Sequence, residues 1–318
     1  MLNAAKAKNI TWTWSGRAVE VTMDRLGTGP TLLLLPAMSS ISTRKEMSPL
    51  QVQLASSFEV ISVDWPGFGD NPKPEVDWRP EAYAAFLHHL VTNIIPKPFA
   101  TCAAGHGAIY ALAKAAADPG SMGRLCLIAP TWRRPLPTMT GKPDATFQWI
   151  VRIVDLPLLG SMLYKLNVNR FMLRMMGRGH VYADPDWLAG ARLTEKLRVT
   201  NSKGARYASV RFVTGELDNR NRAELLSMAT RVPDPILVLY GAGTPPKSKA
   251  EMEALTELKN VYAVELPSGK LAVHEEFPSD TASTIKVFLM AKELPAGQVR
   301  SGGEKASKHS NLGKVDSS

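Results

Sequence analysis

Apolar residues in this chain come in short blocks separated by turn residues, and their spacing changes along the sequence. Residues 9–22 (NITWTWSGRAVEVT) alternate and break at Ser15-Gly16, which predicts a β-hairpin. TLLLLP at 31–36 is a continuous apolar run bounded by Gly29-Pro30 and Pro36, the pattern of a strand buried on both faces. VISVDWPGFGD (60–70) predicts a second buried strand closed by a Pro/Gly turn. Helical spacing over 79–94 follows, then a strand at 99–104 (FATCAA), a helix at 107–117 and a strand at 125–130 (LCLIAP). Strands alternating with helices in this way predict an α/β fold, with a mostly parallel sheet flanked by helices on both faces.

The alternation stops at Pro130. Residues 131–231 are mostly helical in pattern and rich in Met, Trp and Arg. Strand character returns at PILVLYG (235–241) and VYAVELP (261–267), with helical patterns at 248–259 and 279–292. The simplest organisation is one sheet domain, 1–130 and 232–293, interrupted by a helical cap at 131–231. Residues 294–318 are polar, rich in Gly, Ser and Lys, and are expected to form a disordered tail.

Composition adds little until charge is placed. The 318 residues carry 38 Lys and Arg against 29 Asp and Glu, a net charge of +9. The segment 131–231 alone holds 17 Lys and Arg against 8 Asp and Glu, a surplus equal to that of the whole chain. A basic lid could attract an anionic small molecule. No basic run interleaves with aromatics, so nucleic acid is not expected as a partner. The apolar stretch 147–176 carries scattered Arg and Lys, but Asp155-Leu156-Pro157 interrupts it and argues against a membrane-surface role. A protein partner remains open.

Cys102 and Cys126 lie in strand-like runs, where a cysteine is most often a small buried hydrophobe. With no CxxC and no Cys/His cluster, neither a zinc site nor a disulfide framework is predicted, and no cofactor is expected. MLNAAKAKNITWTW has no apolar signal-peptide core, and no run of 18 apolar residues occurs, so a cytoplasmic location is expected.

Several stretches together resemble the α/β-hydrolase family. VISVDWPGFGDNPKP is similar to its strand-plus-turn before the first helices, and FATCAAGHGAIYALAKAAADP to its nucleophile strand, elbow and helix. GRLCLIAP, PILVLYG and LPSGKLAVHEEFP are similar to the later strands and to the loops that carry the acid and the histidine. The resemblance implies a G-x-S-x-G elbow, in which a sharp turn lifts a serine hydroxyl above the sheet. The matching residues are Ala103-Ala104-Gly105-His106-Gly107, which puts Gly105 at the nucleophile position. Shifting the frame puts His106 or Gly107 there instead. The acid position falls on Thr244 and the histidine position on Leu271, while the family's oxyanion-loop His-Gly pair reads Pro36-Ala37. The triad works as a unit, so a chain lacking all three members is not expected to act as a serine hydrolase.

Two functional readings follow. One is a pocket-based binding protein whose ligand is met by Pro36, Ala37, Gly105, His106, Trp132 and His274. The other is an enzyme, hydrolytic or lyase-like, that uses His106 as general acid or base without a covalent serine intermediate. His274, Glu275 and Glu276 also read as helix-terminal electrostatics opening the last helix. Asp218 in GELD reads either as an acid-bearing turn or as the cap of the helix that follows.

Overall fold

A computed structural model describes residues 5–132, 135–217, 220–291 and 300–301. The strands are β1 Lys6–Trp14, β2 Arg17–Leu26, β3 Thr31–Leu35, β4 Glu59–Val63, β5 Ala100–Ala104, β6 Arg124–Ile128, β7 Ile236–Gly241, β8 Val261–Leu266 and β9 Arg300–Ser301. They form one sheet in the order β1-β2-β4-β3-β5-β6-β7-β8-β9. β1 and β2 are antiparallel and β2 joins β4 antiparallel. From β3 onward each neighbouring pair is parallel. The hairpin turns at Ser15 and Gly16, whose φ of 48° and 72° match the right-handed twist of the strands they join.

The consecutive leucines of β3 show why the strand runs are unbroken. Side chains alternate across a strand. Leu33 and Leu35 therefore enter one core, with Ile61, Ala103, Leu127 and Val238, while Leu32 and Leu34 enter the other, with Val60, Cys102, Ile128 and Leu239. The first core is covered by α2 (Pro80–His89), α3 (Gly107–Ala117) and α11 (Pro246–Thr256), the second by α1 (Ser48–Leu54) and α13 (Pro278–Met290). Cys102 and Cys126 face each other across β5 and β6, fully buried and unoxidised.

Between β6 and β7 lie α4 (Pro135–Thr140), α5 (Gln148–Asp155), α6 (Pro157–Asn167), α7 (Arg170–Met176), α8 (Gly190–Thr200), α9 (Ala205–Thr214) and α10 (Arg222–Arg231). The last of them also packs against the sheet. α10 places Leu225, Met228 and Ala229 in the same core as α3, and Asn260 donates to the carbonyls of Ala229 and Val232, each at 2.9 Å. It therefore packs against the sheet's own helical layer. α10 is capped by Asn221 in a reciprocal capping box with Glu224, not by Asp218, which lies outside the described residues. Of the tail, Arg300–Ser301 pair with Val264 and Glu265, an edge pairing that a fully disordered tail does not include. The expectation for its other residues falls outside those described.

Candidate functional site

The strand-to-helix turn after β5 is the centre of the site. Gly105 sits there with a φ of +52°, a left-handed conformation costly for residues with a side chain. Its N–H donates to the Ile128 carbonyl at 3.0 Å, which ties the turn to β6. A Cβ added to Gly105 would stand 3.0 Å from the Ala37 Cβ. One built on Gly107 would meet the Pro36 carbonyl oxygen at 2.6 Å, so a glycine there lets α3 approach the β3 loop. Trp65 fastens that loop by donating from Nε1 to the same carbonyl at 2.8 Å.

His106 sits at the N-cap position of α3 and is buried. Its imidazole meets the Phe212 ring edge-to-face at 4.8 Å, so α9 lies directly over the elbow. Further ties hold the insertion at the same rim of the sheet. The Tyr110 hydroxyl donates to the Leu217 carbonyl, and Lys73 donates to Ser202 across the two parts. Tyr207 donates to Glu75 at 2.8 Å.

Thr244 follows β7 and is buried, with a hydroxyl that has no partner among the described residues. Its loop is laced to the next one by Gly243 N–H donating to the Gly269 carbonyl at 3.0 Å. Leu271 is half-buried against the larger core. Trp132 is buried in that core too.

His274, Glu275 and Glu276 do not open the last helix. They form a separate short helix, α12 (Val273–Glu276), before α13. Nor do the carboxylates serve a helix terminus of their own. Glu275 accepts from the Tyr182 hydroxyl at 2.9 Å, and Glu276 accepts from the N–H groups of Ala183 and Asp184 at 2.8 and 2.9 Å. These bonds clamp the insertion to the sheet domain.

His274 is buried with its Nε2 3.6 Å from Glu46 Oε1. Glu46 had no role in the sequence reading, yet it is central here. Its carboxylate accepts from the Ala37 N–H at 2.7 Å and lies 3.9 Å from Lys196, which in turn lies 3.4 Å from Glu275. Burial opposes the ionised form of Glu46 most strongly. His274, Lys196 and the Ala37 N–H together outweigh it and hold the carboxyl below its ordinary range. Burial likewise opposes the Lys196 ammonium, and Glu275 and Glu46 outweigh it and raise that group. An ionised, internally paired group thus anchors the loop beside the elbow. Its only sequence signal was the charged triplet Arg44-Lys45-Glu46 at the entrance to an apolar helix.

Below it, Arg44 pairs with Asp24 and Asp64, each at 2.8 Å, and the Arg44 N–H donates to Asp64 at 2.6 Å. Burial pushes the Asp64 carboxyl up to about 6 despite that partner. An open cleft of about 420 Å³ lined by Val232, Leu258 and Asn260 lies at the other end of the sheet, before β7 and β8, remote from the elbow.

Residues 32–284 match the sequence profile of the alpha/beta hydrolase family. This chain is an α/β hydrolase by family. Solved structures agree on the fold. An esterase from Thermogutta terrifontis superposes with a TM-score of 0.68 at 18% identity, over 90% of this chain and 98% of that one. The haloalkane dehalogenase DatA from Agrobacterium tumefaciens C58 gives 0.67 at 16%, over 89% and 96%. Cfl2 from Burkholderia cenocepacia gives 0.65 at 23% identity, again over 89% and 96%. No curated protein matches the α/β-hydrolase chain in sequence.

Proposed function

We propose that this α/β hydrolase is a pseudo-hydrolase: a protein that keeps the family's elbow under a helical cap and binds a small molecule there without serine chemistry. The observation that carries the reading is the pair Gly105 and Ala37. The left-handed turn supports Gly105 as the nucleophile position, and it presents no side chain. The Ala37 methyl stands 3.0 Å from where a nucleophile's Cβ would be, so the space is filled as well as the oxygen lost. Thr244 and Leu271 supply neither acid nor imidazole at the other two positions.

An anionic ligand is less well supported than the sequence suggests. Arg211 is held by Asp155 at 2.7 Å, Arg198 by Asp70 at 3.0 Å, and Lys196 by Glu275 and Glu46. These cations serve internal pairs, so the proposed ligand is recognised chiefly through apolar contact around His106 and Phe212. A cytoplasmic location belongs to the same reading.

The test is incubation with a fluorophosphonate probe followed by intact-mass measurement. The wild-type chain is expected to remain unlabelled, while a small molecule is retained under non-denaturing mass spectrometry. Stoichiometric labelling of a serine beside the elbow would overturn the reading. Ester turnover without labelling, abolished by His106→Ala, would instead support acid–base catalysis by His106.

A further inference from the structure

The outer layer of the insertion is built the wrong way round for a helix facing water. In α6, Leu158, Met162 and Leu166 recur at i, i+4 and i+8 and form one stripe. That stripe is exposed: Leu158 by 88% and Leu166 by 63%. The opposite side of the helix faces inward, where Tyr164 donates to Ser209 of α9 at 3.4 Å. The same inversion continues on either side. Phe171 and Met175 form an exposed pair on α7, with Phe171 71% exposed, and Trp149 on α5 is 59% exposed. A water-facing surface rarely carries so many large apolar side chains together.

Cations border them. Between residues 148 and 180 there are five Lys and Arg and one acid, Asp155. That acid is engaged by Arg211 at 3.0 and 2.7 Å. Arg152, Lys165 and Arg170 are exposed, with no ion-pair partner among the described residues.

We infer that this face, the outer side of α5, α6 and α7, docks on an anionic phospholipid surface. Leu, Met, Phe and Trp beside Lys and Arg are the side chains that enter and border a lipid–water interface. Charge decides against a second copy. A symmetric pairing would set the cations of one face against those of the other, with no free acid to relieve them. The face lies on the bilayer and does not cross it, because no described helix is long and apolar enough to span a membrane. The break at Leu156-Pro157, which in the sequence argues against a membrane-surface role, divides the exposed apolar side chains between two short helices. The inference is independent of whether the elbow binds a ligand.

The experiment is co-sedimentation of the full chain with phosphatidylcholine vesicles, with and without phosphatidylglycerol. Binding to the anionic vesicles is expected to be roughly tenfold or more tighter than to neutral ones, and to weaken as salt is raised. The double variant Leu158→Ser/Phe171→Ser is expected to lose binding, and Lys165→Gln/Arg170→Gln to lose the preference for anionic vesicles. All four positions are exposed, so both variants should melt with the wild type, which separates lost binding from lost folding. Failure to bind anionic vesicles, or binding that survives Leu158→Ser/Phe171→Ser, overturns the proposal. So does a concentration-dependent dimer that the same substitution dissolves, because it would assign the face to a second copy.

Discussion

Replacing Gly105 by alanine probes the geometry on which the functional reading rests. The residue has a φ of +52°, where an L side chain costs about 1–2 kcal/mol. The new methyl would also stand 3.0 Å from the Ala37 Cβ, inside the ~3.5–4.0 Å of a relaxed carbon contact, which adds about 1 kcal/mol. Gly105→Ala should therefore destabilise the chain by about 2–3 kcal/mol. For a domain this large that is a fall in Tm of about 3–5 °C. Ala37→Gly removes the opposing methyl but not the backbone cost. In its background Gly105→Ala should cost only about 1–2 kcal/mol, a coupling of about 1 kcal/mol in a double-mutant cycle. Gly107→Ala serves as the severe control, because its methyl would meet the Pro36 carbonyl at 2.6 Å and backbone cannot step aside. Urea denaturation of the four proteins in the cycle gives the numbers. A cost below about 0.5 kcal/mol for Gly105→Ala would mean the turn is not left-handed there, since a Gly-to-Ala change is otherwise neutral or stabilising. An identical cost in both backgrounds would remove the crowding against Ala37 from the account.

Asp64 supplies a pH dependence with a definite sign. Its folded pKa of about 6 exceeds the ordinary carboxylate value, so the folded state keeps a proton that the unfolded chain has lost. The group's contribution is therefore full below about pH 4 and falls as pH rises to about 6, by up to ~3 kcal/mol. Asp64→Asn mimics the protonated form, and its stability relative to wild type should improve over that window. Denaturation midpoints for both proteins at several pH values would show it, and a constant difference would refute the shift. Asn221→Ala should lower stability by about 1 kcal/mol, because the side chain accepts from the Glu224 N–H at 3.0 Å. An unchanged melting curve would mean that the capping box contributes nothing.

What the sequence determined by itself was the sheet. Strands covered on both faces must be apolar at every position, so runs such as TLLLL and ILVLYG announce themselves without reference to the rest of the chain. The left-handed pair Ser15-Gly16 and the small residues around Gly105 are equally local, since they answer to backbone torsion. The order of these local signals sufficed to place the chain in its family.

What only the tertiary structure decided was which groups meet. A helical period states that a helix has a buried face but not what buries it, so only the fold shows Leu225 and Met228 of α10 in the core of the sheet. The same limit hid the outer face of α6, whose leucines the structure leaves in solvent. A charged residue likewise does not name its partner. Glu46, Lys196 and His274 lie far apart in sequence, and only folding brings them together beside the Ala37 N–H. Burial sets the energy of such a cluster, because a buried charge must find a counter-charge or a hydrogen bond, and burial is a property of the whole chain's packing.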